Sequence, residues 1–140
     1  MKIIVIGAGM YVTGRNNSGV GTILSSLSQL SKEVEIEKIT VIASSKTSSK
    51  SVDDAMRRIN KILNSSLQFE YYDLEQNTIE SLFSNDDYDC TIIATPDNLH
   101  YQQALLSFKN NFHVLCVKPL VASADENREL IKLQMNNNLL

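Results

Sequence analysis

Two kinds of apolar pattern alternate along the chain. Residues 3–6 are a short run with β-branched side chains at consecutive positions, which reads as a strand buried on both faces, and 39–43, 88–94 and 113–117 are further short apolar runs that read as strands. Residues 67–72 alternate, as a strand near a sheet edge does. Between these runs the period changes to that of a helix. Val20, Ile23, Leu24, Leu27 and Leu30 share one helical face, with a start expected between 18 and 22 and Asn17 or Ser18 as cap. Val52, Ala55, Met56, Ile59, Ile62 and Leu63 mark a second stripe, opened by a capping box at residues 51–54. A further box at 77–80 opens a short helix through Phe83, and residues 85–87 make a turn. Another helix runs from Pro96 to Phe108, followed by a turn at Asn110-Asn111. Ser123-Ala124-Asp125-Glu126 caps the last helix, residues 136–138 end it, and Leu139-Leu140 looks like the start of another strand. Regular alternation of strand and helix predicts an α/β fold: a Rossmann-like, doubly wound, mostly parallel sheet with helices on both faces and right-handed crossovers.

The first strand stops at Gly7-Ala8-Gly9. Strand, G-x-G turn and helix is the front end of a dinucleotide-binding unit, in which backbone without a Cβ lets a pyrophosphate approach. Met10 and Tyr11 follow directly and are candidate cofactor contacts with Gly7 and Gly9. The third glycine of G-x-G-x-x-G would fall at Val12, so the strict motif fails. Either Gly14 takes that part after a longer turn, or the loop carries an insertion and Gly19 or Gly21 gives close packing where the helix starts. The second option agrees better with the apolar face from Val20. Backbone N–H groups near residues 18–22 would then face the pyrophosphate.

At the end of the second strand an acid commonly bonds the ribose 2′-hydroxyl of NAD. Here Ser44, Ser45 and Lys46 stand instead, which favours NADP over NAD as cofactor. The fourth strand delivers Thr95-Pro96 and, one helical turn on, His100. The fifth delivers Lys118-Pro119. Both strand ends lie at the carboxyl edge of the sheet, where open α/β sheets bind ligands.

Composition narrows the alternatives. One domain fits 140 residues. A net charge of −3 argues against a nucleic-acid partner, which wants a basic face. The chain lacks any apolar run near the ~18 residues of a membrane span and any secretory leader, so the expectation is a cytoplasmic protein without a membrane partner. Cys90 and Cys116 sit in apolar runs as free thiols, and two cysteines with two histidines at wide spacing give no metal site.

Taken together, residues 3–9, Ile92-Ile93-Ala94-Thr95-Pro96 with His100, and His113-Val114-Leu115-Cys116-Val117-Lys118-Pro119-Leu120 resemble the N-terminal half of the glucose–fructose oxidoreductase, inositol dehydrogenase and rhizopine-catabolism (Gfo/Idh/MocA) family. The resemblance covers nearly the whole chain. It implies an NAD(P)-binding domain of a dehydrogenase acting on a sugar, polyol or related alcohol. It further implies that Gly7 and Gly9 hold the pyrophosphate, and that Thr95, Pro96 and His100 line the cofactor near the nicotinamide. Lys118 becomes the lysine of a Glu-Lys-Pro motif, contacting the substrate hydroxyl and relaying its proton as hydride leaves. Val117 stands where that motif has Glu. Family members carry a second α/β domain with most substrate contacts. The expectation is therefore a domain truncated before its substrate-binding partner and inactive alone. An open sheet edge beyond the fifth strand favours a homo-oligomer. A non-catalytic dinucleotide-binding or regulatory module is the alternative, and a methyltransferase is a more distant one.

Overall fold

A computed structural model of the protein describes residues 1–15, 19–44, 46–75, 77–85 and 87–140, with backbone only at 46–48 and 85. Strands β1 (Lys2–Ile6), β2 (Lys38–Ala43), β3 (Glu70–Asp73), β4 (Cys90–Ile93) and β5 (His113–Cys116) form one sheet in the order β3-β2-β1-β4-β5. Every neighbouring pair is parallel. Helices α1 (Met10–Thr13), α2 (Thr22–Leu30), α3 (Lys46–Leu63), α4 (Ile79–Asn85), α5 (Asp97–Lys109) and α6 (Ala124–Asn136) connect and cover it. The chain winds outward from β1 to β3, then returns to the other side of β1 for β4 and β5. This is the expected doubly wound α/β fold, and its topological switch lies between β1 and β4.

The two-residue period of each strand sorts its side chains into two cores. Ile3, Val5, Ile39, Val41 and Ile92 pack with α1, α2 and α3 residues Val12, Leu24, Leu27, Val52, Ala55 and Ile59. Ile4, Ile6, Ile42 and Ile93 pack on the opposite face with Leu82, Phe83, Ala104, Phe108 and Leu130. Buried hydroxyls in the sheet are paired. Thr40 shares a 2.8 Å hydrogen bond with Tyr88, and Thr91 Oγ1 donates to Ser107 Oγ, which donates in turn to Gln103 O. Such pairs avoid the ~1–3 kcal/mol that an unmade buried hydrogen bond costs.

Several boundaries differ from the sequence reading, each for a local reason. The short helix α1 was not expected. It follows the glycines directly, with Val12 and Thr13 N–H donating to Gly9 O, and α2 begins only at Thr22 with Gly21 as its N-cap. Asn17 and Ser18, expected as caps, lie outside the described residues. The glycine at the neck of this insertion is Gly21. A Cβ there would overlap the Val12 carbonyl, while one on Gly14 would meet Gly19 O at 2.9 Å and Gly21 N at 3.0 Å. Helix α3 starts at Lys46, so Ser51 sits inside the helix and the box at 51–54 does not cap it. Its stripe is buried at Val52, Ala55 and Ile59, but Ile62 faces outward, 66% exposed. β3 starts at Glu70, three residues later than expected; it is an edge strand. Thr78, not Asn77, caps α4: its Oγ1 accepts from Ser81 N–H. The box at Ser123 forms as expected with Glu126. Asp86 of the turn at 85–87 lies outside the described residues. Leu140 is not in a strand. It does lie along the outer edge of β5, where its carbonyl accepts from Val114 N–H at 2.9 Å and its N–H donates to His113 Nδ1.

The glycines give a paired prediction. Gly21→Ala forces backbone apart and is expected to lose ~1–3 kcal/mol, a fall in melting temperature of roughly 4–12 °C. Gly9→Ala meets nothing within 4 Å and keeps an ordinary φ of −73°, so its stability should stay within about 0.5 kcal/mol of the parent. Thermal melts of both variants decide it.

The thiols give a second. Burial, with Asp89 near one and Asp97 near the other, raises Cys90 and Cys116 from 9.0 to about 11. The unfolded chain then releases these protons first as pH rises. Stability from the two thiols is full below pH 9 and is lost as pH climbs toward 11. Urea midpoints across that window should fall less steeply in a Cys90→Ala, Cys116→Ala variant; an equal fall would refute the assignment.

Candidate functional site

Four loops leave the carboxyl edge in the order of the strands. Residues 43–44 follow β2, 7–9 follow β1, 94–96 follow β4 and 117–119 follow β5. Each is tied to its neighbour by continuing the ladder. Gly7 N–H donates to Ile42 O at 2.8 Å, Ala94 N–H to Ile6 O at 2.9 Å and Val117 N–H to Ile93 O at 3.0 Å. Gly7 then turns away with φ +111°. A Cβ there would stand 2.5 Å from Ala94 O, so this step of the chain admits only glycine. Gly9, by contrast, faces free space. The glycine turn thus opens onto a cradle that a side chain would fill, at the switch point of the sheet. That geometry fits the approach of a pyrophosphate. Met10 and Tyr11 are half exposed and extend the rim of the cradle along α1.

On the β4 side Thr95 Oγ1 donates to Gln103 Oε1 at 2.6 Å, and its methyl group lies near Gly7. Pro96 caps α5 in an extended conformation and, with Asp97, is exposed. His100 does not reach the cradle itself. It is fully buried, with Nε2 2.9 Å from Thr95 O and Nδ1 2.7 Å from Pro119 O. Both nitrogens therefore face carbonyl oxygens. A neutral ring donates to one of them, a protonated ring to both. Either way His100 braces the loop after β4 against the loop after β5. Lys118, joined to Pro119 by a cis peptide, is exposed at the end of β5. Among the sequence-derived candidates the structure brings Gly7, Gly9, Thr95, Pro96 and Lys118 to one edge, with His100 beneath them. Ser44 is exposed after β2. Ser45 and the side chain of Lys46 lie outside the described residues.

Two cations that the sequence reading passed over lie beside the glycine loop. Ser51, Asp54 and Arg58 occupy one face of α3, at i, i+3 and i+7, and line a cleft of about 460 Å³ with Gly9, Met10 and Arg15. Arg58 Nη2 donates to Thr13 O at 3.3 Å across the cleft. Its Nε is buried with no partner among the described residues. Arg15 folds back over α1, its Nε 2.8 Å from Met10 Sδ. The available signal was a cation bordering the apolar stripe between Ala55 and Ile59, a position that points toward the sheet edge and not to open solvent.

Among the described residues no helix is long and apolar enough to cross a membrane. The model of an oxidoreductase family with an NAD-binding Rossmann fold, GFO_IDH_MocA, matches residues 1–140. A scyllo-inositol 2-dehydrogenase (NADP(+)), IolU, of Bacillus subtilis (strain 168) is 32% identical over 62 residues, 44% of this chain and 19% of that protein. Among solved structures, KijD10, a 3-ketoreductase from Actinomadura kijaniata in complex with NADP, superposes with a TM-score of 0.63 at 19% identity, over 100% of this chain and 35% of that one. The WlbA dehydrogenase from Bordetella pertussis, in complex with NADH and UDP-GlcNAcA, gives 0.63 at 12% identity, over 99% and 33%. The chain spans about a third of these solved relatives, and the curated match takes in less than a fifth of its relative.

The brace at His100 yields a stability prediction. His100→Phe keeps ring volume but removes both nitrogens, leaving Thr95 O and Pro119 O without that partner. A loss of ~2–5 kcal/mol is expected in urea denaturation. A variant as stable as the parent would show that the two carbonyls need no brace.

Proposed function

The chain belongs to the GFO_IDH_MocA oxidoreductase family, as its NAD-binding Rossmann domain, and from that premise we propose that it serves hydride transfer between NAD(P) and a sugar, polyol or related alcohol. The observation that carries the reading is the arrangement of the carboxyl edge. An open glycine cradle, the Thr95-Pro96 turn and the exposed Lys118 follow one another across the switch point. The inositol dehydrogenase among the relatives, and the solved neighbours bound to NADP or NADH beside a nucleotide ligand, support the same class of chemistry.

In this reading Gly7 and Gly9 admit the pyrophosphate, and Met10 and Tyr11 flank it. Thr95 and Pro96 flank the nicotinamide end, and His100 holds their loop in register with Lys118. The cofactor supplies the hydride acceptor. Lys118 Nζ holds the substrate hydroxyl by a hydrogen bond and takes its proton as the C–H bond breaks, which stabilises the alkoxide that would otherwise develop. Val117 leaves Lys118 without a neighbouring carboxylate at the preceding position, so the lysine is oriented by Pro119 and the brace beneath it. Most substrate contacts come from a second domain outside these 140 residues, the outer edge of β5 serves a homo-oligomer, and a cytoplasmic setting fits the free thiols.

Titration of the 140-residue protein with NADH and NADPH tests the binding half of this proposal. At least one should bind, and Gly9→Val, which fills the cradle, should abolish it while the melting temperature holds. Failure of both cofactors to bind the folded protein would refute it. In the enzyme that carries this domain, Lys118→Met should lower kcat by roughly 10²–10⁴ with cofactor affinity little changed. Substrate-dependent turnover by the 140 residues alone would overturn the assignment of substrate contacts to other parts of the protein.

A further inference from the structure

Helix α5 turns a polar face to the sheet. His100, Gln103 and Ser107 stand at i, i+3 and i+7, the spacing of one helical side. His100 and Ser107 are fully buried, and Gln103 is half-buried. Ser107 Oγ accepts from Thr91 Oγ1 at 2.8 Å and donates to Gln103 O at 2.8 Å, which ties the backbone of α5 at Gln103 to β4. The side chain of Gln103 reaches toward the carboxyl end of the same strand, where its Oε1 accepts from Thr95 Oγ1 at 2.6 Å. Gln103 is thus held through its backbone and holds Thr95 through its side chain. With the hydroxyl drawn to α5, the Thr95 Cγ2 methyl faces the glycine turn, 3.4 Å from where a Cβ on Gly7 would stand. A threonine side chain has three staggered wells, and leaving this one would carry the methyl away from the turn.

We propose that Gln103 is a positioning residue for the cofactor: it locks Thr95 in one rotamer, so that the nicotinamide end meets a methyl group already in place and not a rotating hydroxyl. The proposal rests on the dinucleotide reading above and adds to it the residue that prepares the contact. A side chain ordered beforehand spares the complex the entropy of ordering it. The effect of Gln103 runs through the Thr95 hydroxyl, and it belongs to the nicotinamide half of the ligand.

Calorimetric titration of the 140-residue protein with NADH, NADPH and ADP-ribose reads the two halves of the ligand apart, since ADP-ribose keeps the pyrophosphate and lacks the nicotinamide. Gln103→Met, close in length and without the amide, should weaken the better-bound dinucleotide about two- to tenfold, the scale of ordering one side chain on binding. Its affinity for ADP-ribose should stay that of the parent. Gln103→Glu, whose carboxylate accepts from the same hydroxyl, should restore the dinucleotide affinity. In a Thr95→Val background, which offers a methyl and no hydroxyl, Gln103→Met should change nothing. An equal loss for dinucleotide and ADP-ribose, a loss that persists in the Thr95→Val background, or no loss for either ligand overturns the role of Gln103 and leaves the dinucleotide reading standing. Three-bond couplings to the Thr95 methyl carbon need no variant: in the ligand-free parent they should report a single rotamer, and averaged couplings overturn the proposal. If neither dinucleotide nor ADP-ribose binds the folded parent, both readings fall.

Discussion

At Gly7 the central strand donates its last hydrogen bond to β2, having accepted one from β4 at Ile6, and must leave the sheet at once. β2 holds it on one side through Ile42 O, and β4 closes on the other through Ala94 N–H on Ile6 O. The space left for the turn is so small that Ala94 O lies where a side chain would begin. This close approach sets the spacing of the whole carboxyl edge. It brings the end of β4 against the glycine turn, fixes where α5 starts, and through His100 sets the height of the loop after β5. The site is thus an outcome of backbone packing at the switch point, and its side chains are arranged around that.

The edge that results is electrically uneven. Its middle is backbone: the Gly9 cradle and the rim of α1. One end carries Lys118, with Asp97 exposed beside Pro96. The other carries Arg15 and Arg58 facing Asp54. A ligand with an anionic centre and two chemically different ends matches such a surface in one orientation only. Binding energy spent on the arginine end can hold the other end still for reaction, which is how remote contacts contribute to catalysis.

The strands were legible because β-branched runs buried on two faces leave little choice, as at 3–6 and 39–43. Helix faces were legible wherever a stripe meets the sheet, and they blurred where it runs past the sheet, as at Ile62. The four residues of α1 carry no period at all. What shapes them is the tight contact of Gly14 with Gly21, seven residues on, which no local pattern announces. The role of His100 was read from its place after Thr-Pro, toward the ligand. Its burial depends on Pro119, nineteen residues later, whose carbonyl comes within reach only once β4 and β5 pair. Arg58 was hidden for the opposite reason: a cation on an amphipathic helix ordinarily faces water, and only the glycine loop packed across α3 turns it into a partner for Thr13.

Back-to-back packing of Gly14 and Gly21 means that the chain enters and leaves its insertion at a single point, closed by backbone alone. A segment pinned at such a neck contributes little to the folding equilibrium beyond its own loop entropy, which grows only slowly with length. Arg15, which lines the cleft and reaches Met10, and Val20, which packs on the core, tie the two ends of the insertion to the fold. Between those two ties, sequence can drift, lengthen or accept a graft while the glycine cradle keeps its shape.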